Sequence, residues 1–544
     1  MGSGPRWLLI AAIVLLGLGE WAWGIHSATS RLTARIHAEQ VRRHAHPPLP
    51  LAKGHLFTHD ETHAFLAAAK RAEAIEDPLQ RCLFYPDPPD SHWSHDAVVA
   101  YCHYRLRSVI SFAEVQALIQ HGHAADLDRL MAQALDKQQT QKESAGLLDQ
   151  IFYQDFDDGS FDIRPTLDAW KRDSPKSAFA YAASGFAYVA MAASARGNAY
   201  ISETPQSNVD AMDKLLSQAD TDLRRAIELN PKVTPAYVAM IDAGKMSLGR
   251  AYIDQAARRG LAAAPADYSI YNALMMADQP KWGGSLLAMA RLARSAQAHV
   301  GNNPLLTLLL AEAPAYAYDV CDCESRAVWA ADSAVFDNLA SSTLLKNAGY
   351  AATRNGHSEL SVVYLSEASR FLPDNIDVRV HRNYDLTTLR ESAWALADAN
   401  QLVDTWPEKA GGFNARAYAY ESIKDYVHAE QDLRTAIPLD ASDTWPLAEL
   451  GDIYVYRIHD WDKGWDIASR LIQSHPEKPQ GWILRASIQK DQPRAGMDET
   501  MHYFLAHFGD DPHLQLQVRE MHAALAKEAA ASRPAAAATT PAHQ

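Results

Sequence analysis

Blocks of apolar residues long enough for a helix, separated by short polar breaks, follow one another from about Val98 to Gln517. The breaks fall at Gly, Pro and Asn, which end helices or form turns. No block shows the sustained apolar–polar alternation that predicts strands joined by hairpin turns. The pattern therefore predicts an all-α protein made of many consecutive helices.

The N-terminus has a different pattern. Residues 1–25 contain an unbroken apolar run of 13 residues, Trp7 to Gly19, which is the size of a signal-peptide core and shorter than the roughly 20 residues of a full membrane span. Trp21 and Trp23 suit a membrane interface and make a poor cleavage site. We therefore favour a signal anchor over a cleaved signal peptide, followed by a linker over residues 26–60.

A regular repeat period organises the C-terminal half. Pro373 and Pro407 are one period apart, Ala441 follows after another, and Pro476 comes one residue later than the next full period. In the same register, small or short side chains recur in the first helix of each unit at Gly349, Asn383, Ala417 and Gly451, and in the second helix at Ser361, Ala395, Ala429 and Gly464. Small residues let paired helices approach, and proline ends the second helix. One pair cannot bury its own apolar face, so the pairs must stack.

This pattern resembles the tetratricopeptide repeat family, most clearly in AYAYESIKDYVHAEQDLRTAIPLD, from Ala417 to Asp440. The resemblance implies a right-handed helical solenoid with four to five repeats at about 340–510. It also implies that the first helices line a surface that accepts a peptide or a partner helix. The positions expected to line that surface are Asn347, Tyr384, Arg416 and Asp452.

Residues 60–330 carry the same register less regularly. Pro231 and Pro265 are separated by the same period, and the segment from Arg196 to about Asp213 is predicted to be an insertion between paired helices. A series of short motifs here is similar to a bacterial domain of unknown function that occurs with tetratricopeptide repeats. The motifs are DAW at 168–170, SPKS at 174–177, ARG at 195–197 and PKWGGS at 280–285. The resemblance implies a helical fold but no chemistry.

Two of these motifs form a candidate ligand site. The two glycines of the KWGG string precede a helix, where backbone amides and Lys281 could hold an anion. Arg196 could belong to the same neighbourhood or pair with Asp168. The structural alternative is a tight turn in which Trp282 fills the core and glycine admits close backbone approach. The predicted binding residues are Asp168, Trp170, Arg196, Gly197, Lys281, Trp282, Gly283 and Gly284.

The four cysteines leave several alternatives open. One short window contains Cys82, His92, His95, Cys102 and His103. Cys and His are zinc ligands, but the window lacks a C-x-x-C pair, so a disulfide between Cys82 and Cys102, or none, is favoured. Cys321 and Cys323 are too close in sequence for an easy mutual disulfide, so free thiols or long-range pairing are expected.

Composition and charge narrow the function. A net charge of -15 disfavours nucleic acid as a partner, and no motif of nucleophilic catalysis, zinc catalysis or cofactor binding occurs. We therefore predict a non-enzymatic protein-interaction scaffold of a bacterial cell envelope, tied to the inner membrane with most of the chain in the periplasm. The alternative is an enzyme or small-anion-binding protein with a pocket around Arg196 and Trp282. Residues 528–544 are predicted to be a disordered tail.

Overall fold

The computed structural model describes residues 57–199, 201–316, 337–492 and 494–531. Every regular element in these ranges is helical. Up to residue 316 the α-helices are α1 His59–Glu73, α2 Pro78–Phe84, α3 His95–Leu106, α4 Phe112–Gln120, α5 Ala124–Thr140, α6 Leu147–Asp155, α7 Arg164–Asp173, α8 Ala178–Arg196, α9 Gln206–Leu229, α10 Thr234–Ala243, α11 Arg250–Ala263, α12 Tyr268–Ala277, α13 Leu286–Ala296 and α14 Leu309–Glu312. From residue 337 they are α15 Ser342–Arg354, α16 Ser358–Phe371, α17 Ile376–Thr388, α18 Ser392–Thr405, α19 Ala410–Ser422, α20 Tyr426–Leu439, α21 Trp445–Asp452, α22 Trp461–Ser474, α23 Pro479–Asp491, α24 Met497–Phe508 and α25 Gln515–Ala531. The predicted all-α solenoid is confirmed for this part of the chain.

Helices α15 to α24 form five helix pairs in the predicted register. A Cβ atom added to Gly349 in α15 would lie 2.4 Å from Cδ2 of Leu365 in α16, and one added to Gly451 would lie 2.5 Å from Cδ1 of Leu484. Both approaches are closer than carbon atoms can pack, so the small residues are needed where neighbouring helices meet. The predicted packing seam is confirmed.

The aligned prolines lie at successive turns, as predicted. Helix α16 ends at Phe371, two residues before Pro373, and α18 ends at Thr405, two residues before Pro407. Helix α22 likewise ends two residues before Pro476. Because the proline ring cannot continue a helix, it fixes where these three second helices stop. The second helix α20 differs, since it contains Pro438 and ends at Leu439.

The middle helices α4–α14 carry a similar pairing. In the pair formed by α8 and α9, a Cβ atom added to Gly185 of α8 would lie 2.5 Å from Cγ of Leu223 in α9. Within the described residues, α8 alone is long and apolar enough to cross a membrane, but 72% of that stretch is buried, which marks a core helix. The predicted insertion after Arg196 is partly wrong, because α9 already begins at Gln206 and runs for 24 residues.

The first three helices, α1–α3, fold back onto the repeats, and we call residues 59–106 the N-terminal clasp. The backbone amide of Ser342 in α15 donates to the Tyr101 hydroxyl at 2.8 Å, and Arg370 Nε donates to the Cys82 carbonyl at 2.8 Å. One apolar core contains side chains from the clasp, from α12–α14 and from the repeats as far as α19. The sequence predicts a domain boundary at 330–340, and the described helices on either side of it share one core. The boundary itself stays a prediction.

The ends of the described chain adjust two sequence predictions. Helix α1 begins within the predicted linker: the Thr58 side chain caps the Glu61 amide, and Glu61 bonds back to Thr58, an arrangement that fixes a helix start. Helix α25 reaches Ala531, so the first residues of the predicted tail are helical. Residues 1–25, and with them the predicted membrane segment, lie outside the described residues.

Candidate functional site

The sequence-predicted binding residues lie on three separate elements. Asp168, on α7, accepts a hydrogen bond from Arg164 at 2.5 Å and lies 3.5 Å from Lys171 Nζ. Trp170, two residues further along α7, is fully buried and donates from Nε1 to Asp128 at 2.9 Å. The Asp168 contacts therefore stay within α7, whereas the Trp170 hydrogen bond joins α7 to α5.

Arg196 and Gly197 lie at the end of α8. The half-buried Arg196 side chain donates to the carbonyl of Gly197 at 3.3 Å. Gly197 ends the helix with a φ of 77°, a left-handed value that favours glycine. Asp168 pairs with Arg164 and Lys171, so the pairing of Arg196 with Asp168, one of the alternatives from the sequence, is not formed.

Residues 281–284 form a tight turn after α12. Gly283 has a φ of 87°, and a Cβ atom on Gly284 would lie 2.0 Å from the Asp278 carbonyl oxygen. The structural alternative was right about the close approach at Gly284, whereas Gly283 has open space beside it and supplies only its positive φ. The alternative was wrong about Trp282, which is 41% exposed with Lys245 Nζ 5.6 Å from its ring centroid. The turn is therefore built by backbone approach, with the indole ring outside the core.

Cys82 and Cys102 form a disulfide, with Cα atoms 5.8 Å apart. It joins α2 to α3 within the clasp and settles the alternatives for this window against zinc, since a disulfide sulfur is not a thiolate ligand. Cys321 and Cys323 lie outside the described residues.

A buried carboxyl pair in the middle helices was not predicted. Gln138 Nε2 donates to Asp149 at 2.9 Å and to Asp267 at 3.0 Å, and Thr234 donates to Asp149 at 2.8 Å. Burial and the charge of Asp149 raise the pKa of Asp267 well above its usual range. Such pairs support acid–base chemistry where a substrate can reach them. Both side chains are buried and bonded within the core, so we assign the pair to the packing of α6, α10 and α12.

The first helices of the repeats carry a row of aromatic rings. Tyr350, Tyr384 and Tyr418 follow one another at the repeat period, so they occupy the same position in three successive repeats. His381 lies 4.3 Å from Tyr350 and 6.4 Å from Tyr384 between ring centroids, and Tyr384 lies 5.3 Å from Tyr418 and 5.9 Å from Trp445. We call these five residues the aromatic row. It runs across α15, α17, α19 and α21 and leaves its rings partly exposed.

A carboxyl cluster continues the row on α19 and α21. Burial, a hydrogen bond with Glu421 and the negative charges of Glu421 and Asp452 raise the pKa of Glu449 to about 9. Burial and the charge of Glu421 raise the pKa of Asp452 to about 6. Arg457, with Nε 3.1 Å from Glu421, supplies one positive charge. These three acids crowd negative charge at one end of the aromatic row.

The aromatic row and the carboxyl cluster together are named the first-helix face. A cavity of about 350 Å³ opens beside it, lined by Tyr418, Glu421 and Arg457 among others. Of the lining positions expected from the sequence, Tyr384 and Asp452 belong to this face. Arg416 does not: it pairs with Asp432 at 2.7 Å on a second helix. The periodic spacing of the three tyrosines was a signal in the sequence that could have identified the face.

Glu449→Gln is expected to flatten the pH dependence of stability. The folded-state pKa of about 9 exceeds the roughly 4.3 of an unfolded glutamate. The folded chain therefore holds a proton that the unfolded chain loses, and stability falls as pH rises between these values. Because Glu449 is partly exposed, solvent reduces the size of this effect. The variant should therefore have a melting temperature roughly 2–4 °C above that of the wild type at pH 8.5 and the same melting temperature at pH 4. Thermal unfolding of both proteins at the two pH values measures this effect, and Glu228→Gln, at an exposed position, is the control. The prediction is contradicted if the melting temperatures of the wild type and of Glu449→Gln change with pH in the same way.

Comparison with known proteins adds little to the fold assignment. No protein-family model matches the chain, and no curated protein matches it either. Two solved structures are similar in part: the P58(IPK) TPR domain, at 14% identity over 74% of this chain and 99% of that chain with a TM-score of 0.22, and yeast Tom70, at 11% identity over 87% and 98% with a TM-score of 0.33. Both TM-scores are low, so the helical-repeat assignment rests on this chain's own helix pairs and their spacing.

Proposed function

We propose that this chain is a protein-interaction scaffold that holds a segment of a partner protein on its first-helix face. The observation that carries the proposal is the continuous row of Tyr350, His381, Tyr384, Tyr418 and Trp445 across four successive first helices. Tyrosine and tryptophan dominate protein-binding surfaces because a rigid ring gives a large contact area and keeps one polar edge. A surface of this length suits an extended segment or a helix better than a small molecule.

The carboxyl cluster indicates what chemistry that segment carries. Glu421, Glu449 and Asp452 are crowded enough to hold a proton that an isolated carboxyl would lose at neutral pH. A lysine or arginine from the partner would compensate this negative charge and release the proton. The favoured ligand is therefore a segment with a basic residue next to aromatic or aliphatic ones.

The scaffold is proposed to work in the bacterial periplasm, attached to the inner membrane. The apolar run in residues 1–25 supports attachment to a bacterial inner membrane. The Cys82–Cys102 disulfide supports an oxidising compartment such as the periplasm, because cytosolic thiols are kept reduced. A tethered chain with an open repeat surface would gather envelope proteins beside the membrane.

Tyr384→Ala is expected to weaken peptide binding about 30-fold, as loss of roughly 2 kcal/mol at an interface hot spot does. Tyr384 touches His381, Tyr418 and Trp445, so its removal interrupts the row at the centre. Peptides would be selected on the full chain from a random library and their affinities measured by fluorescence polarisation. Phe161→Ala removes a 62% exposed ring elsewhere and is the matched control.

One result would count against binding on the first-helix face, and another would count against the role of the carboxyl cluster. Equal affinity of the Tyr384→Ala and Phe161→Ala variants would place binding outside the first-helix face. If the selected peptides lack lysine and arginine, the carboxyl cluster does not take part in recognition. The same conclusion follows if the peptides bind a Glu449→Gln variant with unchanged affinity. A photo-crosslinking residue at position 384, compared with one at position 161, would test the same face in cells.

A further inference from the structure

A cavity of about 260 Å³ lies where the N-terminal clasp meets the repeats. Its walls come from α1 and α2 of the clasp and from the end of α16, α17 and α18. Helices α16 and α18 are second helices and α17 is a first helix, but the cavity shares no lining residue with the first-helix face. The charged residues that line it are Lys70, Glu73, Arg81, Arg370, Arg379, Arg382 and Asp398.

One of the five cations is neutralised from outside the cavity. Arg370 is buried, and its NH1 atom lies 2.8 Å from Asp87 and 3.1 Å from Glu367. Its Nε atom donates to the Cys82 carbonyl. Arg370 therefore stabilises the contact between the clasp and the repeats. Four cations and two carboxylates remain to determine the charge of the cavity lining.

The two carboxylates are already shared by two arginines. Oδ1 of Asp398 lies 2.6 Å from Arg379 and 3.1 Å from Arg382, and Arg382 also pairs with Glu73. Burial opposes the charge on Asp398, but Arg382 and Arg379 outweigh it and lower the pKa of this carboxyl. The two arginines and the two carboxylates pair with one another, so their formal charges cancel in this part of the lining.

Lys70 and Arg81 carry the remaining charge. Lys70 Nζ lies 6.0 Å from the ring centroid of Trp394. Arg81 donates to the carbonyls of Ile75 at 2.8 Å and Glu76 at 3.1 Å, which are neutral acceptors. Among the described residues neither has a carboxylate within ion-pair distance, so the lining has an excess of two positive charges.

We propose that this cavity binds a phosphate dianion, either free or carried on a small organic group. Guanidinium groups present paired donors that match the oxygens of phosphate, and two negative charges balance the excess. The volume limits the ligand to inorganic phosphate or a small monoester, below the roughly 300 Å³ at which drug-sized sites begin. The Nε atom of Arg382 has no hydrogen-bond partner within the described residues, so the arginine network has unused donor capacity.

The cations come from two parts of the chain that are far apart in sequence. Lys70 and Arg81 belong to the clasp, whereas Arg379 and Arg382 belong to α17. Bound phosphate would therefore join clasp to repeats and stabilise their contact in proportion to occupancy. This inference is independent of the proposed partner-binding role, because no residue that lines the cavity belongs to the first-helix face.

The test uses the full chain and inorganic phosphate at pH 7.5, with ionic strength held constant by sodium chloride. We expect phosphate to raise the melting temperature and to slow amide exchange in α1, α17 and α18. Lys70→Gln should weaken phosphate binding about tenfold in calorimetry, the loss of roughly 1.4 kcal/mol, without unfolding the chain, because Lys70 is exposed. Lys214→Gln, at an exposed position on α9, is the matched control.

Glycerol phosphate in a parallel titration distinguishes the source of the phosphate. Tighter binding of the ester supports a small organic phosphate, and tighter binding of inorganic phosphate supports the free ion. The proposal is overturned if chloride at equal ionic strength stabilises the chain as much as phosphate does. It is also overturned if Lys70→Gln binds phosphate as the wild type does, or if exchange slows only outside the clasp and its contact helices.

Discussion

Arg382→Leu is expected to destabilise the joint between clasp and repeats by about 3–5 kcal/mol, the usual loss when one partner of a buried ion pair is removed. The Arg382 side chain is 1% exposed and sits between Glu73 on α1 and Asp398 on α18. Its guanidinium also lies 5.4 Å from the ring centroid of Trp394. Leucine would leave both carboxylates near a cavity with less positive charge to compensate them.

Denaturant unfolding and amide exchange of α1 and α18 measure this effect. Arg172→Leu is the matched control, since Arg172 is 71% exposed and pairs only with its neighbour Asp173 within the described chain. Exposed pairs of that kind contribute up to about 1 kcal/mol. A similar loss of unfolding free energy in both variants would show that the ion pairs of Arg382 do not stabilise the joint more than an exposed ion pair does.

Replacing both Cys82 and Cys102 by serine is expected to cost the clasp about 3 kcal/mol. The disulfide closes a loop of 20 residues, and a cross-link of that length removes conformational entropy of this order from the unfolded segment. The bond holds α2 beside α3, and the Cys82 carbonyl accepts from Arg370. Its loss should therefore loosen both the clasp and its contact with α16.

Limited proteolysis of α1–α3 and amide exchange measure the loosening. Wild-type chain treated with reductant should behave like the double variant. Replacing Cys321 and Cys323 by serine is the control and should leave the clasp unchanged. Equal protection of α1–α3 in oxidised and reduced chain would mean that the bond adds nothing to the joint.

The repeats were predictable because their packing is local and periodic. Gly349 and Ser361 lie in the same helix pair, and the same requirement for small side chains returns in each following pair. A pattern of that kind is visible in one sequence without any knowledge of distant contacts. The Tyr350–Tyr384–Tyr418 series follows the same period and could have been identified in the same way.

The clasp and the carboxyl cluster were not predictable because they depend on distant contacts. Glu73 meets Arg382 across 309 residues, and no local pattern signals such a pairing. Glu421 and Glu449 lie on neighbouring first helices, but an acid on a helix surface is usually solvated and gives no sign of crowding. The structural alternative placed Trp282 in the core because a large apolar ring favours burial in general, but the ring is 41% exposed.

The joint between clasp and repeats imposes an order on folding. Helices α1–α3 are synthesised first, yet the partners of Glu73 on α17 and α18 are made about 300 residues later. At a ribosomal rate of roughly 5–20 residues per second, that delay is on the order of 15–60 s. Phe65, Tyr85 and Tyr101, all buried in the finished protein, lack the side chains of the repeats that share their core during that time. We therefore expect a nascent chain that ends before α17 to require a chaperone and to aggregate when none is present.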